Sequence, residues 1–188
     1  AFDYQPGASR LTGPGRKLVT FKPGGHWTRS LIVSPDRKRI YAGVGSLSNI
    51  ADEGMQVEKG RAAIWELDLE TGQARVFADG LRNPVGLAWE PVTGALWTVV
   101  NERDGLGDET PPDYLTSVQE GGFYGWPYSY WGGTVDDRVP QDPASVARAT
   151  SSSVSGRRPV APASTAAPRS AARPRATVSA ICSVLPYI

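Results

Sequence analysis

Cysteine is all but missing from this 188-residue chain. The one residue, Cys182, excludes an intramolecular disulfide framework and any thiolate metal cluster, and with them zinc ribbons and cysteine redox motifs. No apolar run reaches the length of a membrane-spanning helix, so the chain reads as soluble. Its opening residues, Ala1-Phe2-Asp3-Tyr4, lack the basic and apolar regions of a secretory signal. Acidic residues stop at Asp142. Residues 1–142 carry 14 Lys and Arg against 19 Asp and Glu, a net of −5, whereas residues 143–188 carry six Arg and no acid. The formal charge of +1 is therefore the sum of two dissimilar parts.

The second part is also poor in aromatics. Between Thr150 and Ala180, 24 of 31 residues are Ala, Ser, Arg or Pro, and no aromatic occurs before Tyr187. Such a stretch offers too little apolar area to offset the entropy of ordering it, so residues 150–188 are expected to be disordered. Its arginines are dispersed and no stacking aromatics interleave them, which argues against nucleic-acid binding. The abrupt change near Ala149-Thr150 matches what a GC-rich coding region yields when read out of frame. The expected organisation is thus a folded body over 1–149 and a low-complexity tail over 150–188.

The body contains an internal repeat. Ser34 to Val44 aligns without a gap on Glu90 to Val100, an offset of 56 residues. The register extends upstream, setting Phe21 on Phe77, Gly24 on Gly80, Leu31 on Leu87 and Val33 on Trp89. In each copy a short alternating segment meets a Pro-containing turn and a second alternating segment, the pattern of a β-hairpin. A period of this length made only of strands and turns predicts an all-β fold of propeller blades, here about two. Leu18-Val19-Thr20-Phe21 fits the outer strand of a further blade, which suggests that upstream blades are missing. The same offset sets His26, the only histidine, on Arg82, and Trp27 on Asn83. If that position leads into the innermost strand, these side chains converge on the central channel.

The segment Asn101 to Glu109 is rich in carboxylates and glycine, and a rigid aromatic turn, Gly121-Gly122-Phe123-Tyr124-Gly125-Trp126-Pro127-Tyr128, follows it. Acidic oxygens and bare carbonyls on a fixed loop suit a hard cation such as calcium. A solvated acidic loop is the alternative for Glu102, Asp108 and Glu109. The spacing is not that of an EF-hand, because alternate oxygen ligands and the distal Glu are lacking.

Taken together, Gly24-Gly25-His26-Trp27-Thr28-Arg29, Gly80-Leu81-Arg82-Asn83-Pro84-Val85-Gly86-Leu87-Ala88, Asn101 to Glu109 and Gly121 to Tyr130 resemble the glucose/sorbosone dehydrogenase family, the soluble quinoprotein sugar dehydrogenases. The resemblance covers roughly residues 3–149 and implies a six-bladed β-propeller of which this chain holds a part. It implies pyrroloquinoline quinone and a calcium ion as cofactors, and a small-molecule sugar with an electron acceptor as partners. It also implies a periplasmic or secreted location. By the same resemblance His26 is the catalytic base, and Arg82 and Asn83 contact the quinone. The main-chain carbonyls of Arg103 and Asp104 hold the metal, Asp108 and Glu109 stiffen their loop, and Tyr124 and Trp126 are structural, with Tyr124 packing beneath that loop. An imidazole suits the task, since its unperturbed pKa of about 6.5 lets it accept a proton near neutrality. Later blades, which carry further cofactor and sugar contacts in the family, are replaced here by the tail, so the chain is expected to be a fragment with little or no activity. A non-catalytic propeller-type module binding calcium or a partner is the alternative.

Overall fold

The computed structural model describes residues 1–130 and 133–152. Nine strands and one helix are formed among them: β1 (Leu31–Val33), β2 (Arg39–Val44), β3 (Ala63–Asp68), β4 (Ala74–Asp79), β5 (Asn83–Trp89), β6 (Leu96–Asn101), β7 (Tyr114–Val118), β8 (Ser129–Tyr130), β9 (Thr134–Val135) and α1 (Pro143–Ser152). The expected all-β class is what the structure has: a four-stranded sheet ordered β1-β2-β3-β4, a three-stranded sheet ordered β5-β6-β7 and a β8-β9 ribbon. Every ladder is antiparallel.

The repeat read from the sequence is a repeat of register. In the first sheet Leu31 opposes Ala42 and Val33 opposes Ile40. In the second, Leu87 opposes Thr98 and Trp89 opposes Leu96, each pair displaced by 56 residues. The turns are closed by the same bond, Ser34 N to Arg39 O at 2.9 Å and Glu90 N to Ala95 O at 2.8 Å. Pro84 has no N–H for the ladder, and the register shifts between Pro84 and Gly86, in an edge strand where that irregularity is tolerated.

The two sheets pack face to face. Tyr41, Ile64 and Ala78 from the first and Leu96, Val100 and Val118 from the second form one cluster with Leu81. Tyr41 sits edge-on to Phe77 and Trp89, with centroids 5.0 and 5.4 Å away. The Trp89 indole N–H donates to Val33 O at 2.7 Å, so a repeat position touches its own counterpart. Ile64, Leu81 and Val100 are wholly inaccessible. Each such side chain contributes about 1.5–3 kcal/mol by leaving water. A Cβ built on Gly43 would fall 2.5 Å from Pro84 O, so the backbones approach where a side chain could not fit.

One expectation changes against the structure. Residues 18–21 do not form an outer strand; among the described residues their backbone makes no backbone–backbone hydrogen bond, and Phe21 instead meets the Trp65 ring edge-on at 5.8 Å. The segment has no neighbouring strand to pair with, so side-chain burial decides its place. A helix, α1, follows the body. Asp142, the last acid of the chain, caps it by accepting from Ala144 N at 3.1 Å and Ser145 Oγ at 2.7 Å, with Pro143 at the first helical position. Val146 and Ala149 of α1 pack on Phe123, Tyr128 and Val139. The remainder of the tail, 153–188, with the disorder expected of it, lies outside the described residues.

Candidate functional site

Four segments meet at one end of the sheets: the approach to β1, the loop leaving β2, the entry to β5 and the loop from β6 to β7. Gly24 and Gly25 start the first, with φ of 91° and 59°. A Cβ on Gly25 would lie 2.4 Å from Leu47 Cα and 2.5 Å from Ser46 O, so the chain can lie on the 46–47 loop only without a side chain there. Arg61, itself buried, donates to the carbonyls of Lys22, Pro23 and Gly24 and thereby holds this approach in place. The buried Glu58 carboxylate accepts from Leu47 N, Ser48 N and Ser48 Oγ, at 2.7, 2.9 and 2.7 Å, and fixes the loop beneath.

His26 is oriented by Ser46. The His26 amide donates to Ser46 O at 3.0 Å, and the ring Nδ1 lies 3.0 Å from that carbonyl and 3.1 Å from Ser46 Oγ. Ser46 Oγ spends its own proton on Ser48 O at 2.6 Å, so both Ser46 oxygens facing the ring are acceptors. Nδ1 must therefore carry the proton, which leaves the Nε2 lone pair free. Burial lowers the His26 pKa; the Ser46 carbonyl opposes that, and Arg82 adds to it.

Arg82 and Asn83 enter from the second repeat. Ser46 N donates to Arg82 O at 2.8 Å, which ties the two loops together. Gly45 lies between the first repeat and the second: a Cβ there would be 2.5 Å from both His26 Cβ and Asn83 Oδ1. The buried Arg82 guanidinium uses four of its five N–H groups, on Glu102 O (2.5 Å), Asn49 O (3.2 Å), Asn49 Oδ1 (2.9 Å) and Asp104 Oδ2 (2.9 Å). Asn83 Nδ2 reaches Asn101 Oδ1 at 3.4 Å, while Asn83 Oδ1 is buried with no partner among the described residues.

The 101–109 loop divides. Glu102 is buried and its carboxyl is pushed up to about 7, chiefly by that burial. The Arg103 side chain turns inward to Asp136, 3.1 Å away, with both groups almost fully buried. Asp104 remains exposed; its carboxylate pairs with Arg82 and its carbonyl accepts from Asn49 Nδ2 at 3.0 Å. Asp108 and Glu109 are exposed and join neither group by a hydrogen bond or ion pair. Trp126 is buried behind Asn49, donating to Asn49 O at 2.9 Å. Tyr124 sits by the end of β7, its hydroxyl donating to Ser117 O at 2.7 Å and accepting from Gln119 N at 2.9 Å.

Of the residues singled out from sequence, His26, Arg82, Asn83 and Asp104 come together, whereas Asp108, Glu109 and Tyr124 lie apart. Ser46, Asn49, Glu58 and Arg61 escaped notice. Ser46 had a signal, since the 56-residue register sets it on Glu102. The others hold loops of unequal length, on which the repeat is silent.

The arrangement can meet a polar, oxygen-bearing ligand. It offers an imidazole lone pair, a buried amide oxygen in want of a donor or cation, and a guanidinium whose partner carboxylate is exposed. Among the described residues no three His, Cys, Asp or Glu side chains gather as metal ligands. A cation there would take main-chain carbonyls and the ligand's own oxygens, a donor set suited to calcium.

A model of the TrAA12-like family matches residues 1–131. The aldose sugar dehydrogenase YliI of Escherichia coli K12 is 38% identical over 60 residues, 32% of this chain and 15% of that protein. The calcium structure of the Trichoderma reesei carbohydrate-active enzyme of family AA12 is similar with a TM-score of 0.51 and 25% identity, over 65% of this chain and 36% of that one. The holo form of the pyranose dehydrogenase PQQ domain from Coprinopsis cinerea shares the fold, with a TM-score of 0.57 and 23% identity over 76% of this chain and 42% of that one. The chain spans less than half the length of each of these relatives.

Proposed function

This chain belongs to the TrAA12-like family, and from that premise we propose that it carries the catalytic-base side of a quinoprotein sugar dehydrogenase, acting on an aldose or sorbosone-like sugar with pyrroloquinoline quinone and calcium. The observation that supports this reading is the forced tautomer of His26 beside Arg82 and Asn83. The Nε2 lone pair takes the proton of the anomeric hydroxyl as the C1 hydrogen leaves with its electron pair. Ser46 O keeps the Nδ1 proton throughout, so the imidazolium that forms retains a hydrogen-bonded carbonyl. When bound, the quinone would supply the hydride acceptor, and the Arg103 and Asp104 carbonyls would hold a calcium ion supplying Lewis acidity. Arg82 faces the negative charge that accumulates on the ligand, and Asn83 Oδ1 orients it.

A binding module that merely held calcium has no use for a half-buried, tautomer-fixed base next to a guanidinium, which favours the enzyme over the non-catalytic alternative. The sugar dehydrogenase named among the relatives supports the substrate class. No described helix is long and apolar enough to cross a membrane, and the periplasmic or secreted location is proposed on the resemblance. The 188 residues alone turn over slowly or not at all, because Arg61 and Arg103 are committed to internal carbonyls and to Asp136, and Arg82 is already paired with Asp104. A dye-linked sugar oxidation assay with quinone and calcium, run on this chain and on a version extended to the length of its relatives, tests this. Turnover is expected in the extended protein and its loss in the His26→Ala variant. Full activity of that variant would refute the role of His26.

A further inference from the structure

Asn49 lies on the loop leaving β2, outside the repeat and outside every motif of the sequence. It nevertheless bonds to Arg82, Asp104 and Trp126 at once. Its Oδ1 accepts from Arg82 Nη2 at 2.9 Å and from Asp104 N at 2.8 Å, and its Nδ2 donates to Asp104 O at 3.0 Å. Its carbonyl accepts from Arg82 Nε at 3.2 Å and from Trp126 Nε1 at 2.9 Å. One amide side chain thus reads both the N–H and the C=O of Asp104, as a paired strand would, and the same oxygen aims the guanidinium.

Resting on the quinoprotein reading, we infer that Asn49 is the positioning residue that couples the two cofactor contacts, fixing the direction of the Asp104 carbonyl and the rotamer of Arg82 as one unit. The geometry gives each contact a reason. A carbonyl oxygen has two lone pairs, so the Asn49 bond occupies one and turns the other toward a cation. Asp104 is exposed and followed by Gly105 and Gly107, at φ of 90° and 118°, and Asn49 ties its main chain to the loop leaving β2. A long guanidinium carries rotamer freedom that must be lost when it meets an anion, and Asn49 removes that freedom beforehand. The buried Trp126 indole behind the Asn49 carbonyl holds the unit from the other side.

The two halves of the coupling separate by substitution. Asn49→Ala removes all three side-chain bonds. Asn49→Asp keeps the acceptor for Arg82 and Asp104 N–H but cannot donate to the Asp104 carbonyl. Two measurements are made on the chain extended to the length of its relatives. Amide hydrogen exchange at Asp104 without cofactor is expected to be slow in the unsubstituted chain and in Asn49→Asp, and fast in Asn49→Ala. Titration with pyrroloquinoline quinone at stepped calcium concentrations, followed by quinone absorbance, is expected to show about tenfold weaker quinone binding in Asn49→Ala. The calcium concentration for half-saturation should rise about tenfold in both variants, with Asn49→Gln giving no rescue because its amide is one methylene too far out. A merely structural role would move the melting temperature and leave the calcium midpoint unchanged. Quinone and calcium affinities in Asn49→Ala equal to those of the unsubstituted chain would overturn this inference alone, whereas absence of quinone binding by the unsubstituted chain would overturn the parent reading and this with it.

Discussion

The two repeats share a frame and differ in what they display on it. In the first, the side chain at the approach to the inner strand is His26, whose Nδ1 points at the carbonyl of Ser46; in the second it is Arg82, whose Nη1 points at the carbonyl of Glu102. Both residues of each pair are related by the same 56-residue offset. One backbone device, a carbonyl at the exit of the second strand, therefore orients a proton acceptor in one copy and a fixed cation in the other. The difference teaches that the frame sets direction while the residue sets chemistry. His26 spends one ring nitrogen on the frame and keeps the other free, whereas Arg82 spends nearly all its donors and keeps its charge.

The sharpest way to break the comparison is to remove the base and leave the frame. His26→Ala deletes a half-buried ring bonded only through Nδ1, so in the extended, cofactor-loaded protein turnover should fall by about 10²–10⁴-fold, the usual weight of a general base, with little change in melting temperature. Arg82→Ala should act on both, since it also strands Glu102 O and the Asn49 amide. The pH profile sharpens the same point. Burial depresses the His26 pKa, so the neutral base persists below the usual 6.5, and the rate should fall only as pH drops through that lowered value. A rate that falls already at or above 6.5 would mean that another group limits it.

The next effect belongs to the loop beyond Arg82. Arg103→Ala would leave the nearly inaccessible Asp136 carboxylate without its cation, and loss of one partner of such a buried pair costs about 3–5 kcal/mol, measured by chemical denaturation. The smallest effect lies outside both repeats. Asp142→Ala removes the cap of α1 and should cost about 1 kcal/mol.

Much of this was legible in the residues. The hairpins appeared because alternation and turn chemistry are local, and the offset carried His26 onto Arg82 because the repeat preserves register. What escaped was non-local. Asn49 and Glu58 act across loops of unequal length, and no periodicity announces that an amide will pair with a main chain 55 residues away. Residues 18–21 have the alternation of a strand but no neighbour, and pairing cannot be read from one strand. Arg103 stands in an acidic loop, and nothing local in the sequence announces that Asp136 draws its side chain inward. Asp108 and Glu109, which share that loop, have no such partner and stay in water.

The central claim is that both repeats face one ligand, and the ring nitrogens of His26 report on it directly. Long-range ¹⁵N–¹H correlation spectra of the chain should show a single imidazole with the proton on Nδ1 and a free Nε2. Addition of pyrroloquinoline quinone with calcium should move the Nε2 resonance and leave the Nδ1 proton in place, and in Arg82→Ala the Nε2 resonance should not move. A proton on Nε2 in the free chain, or an Nε2 resonance that stays fixed while the quinone binds, would contradict the account.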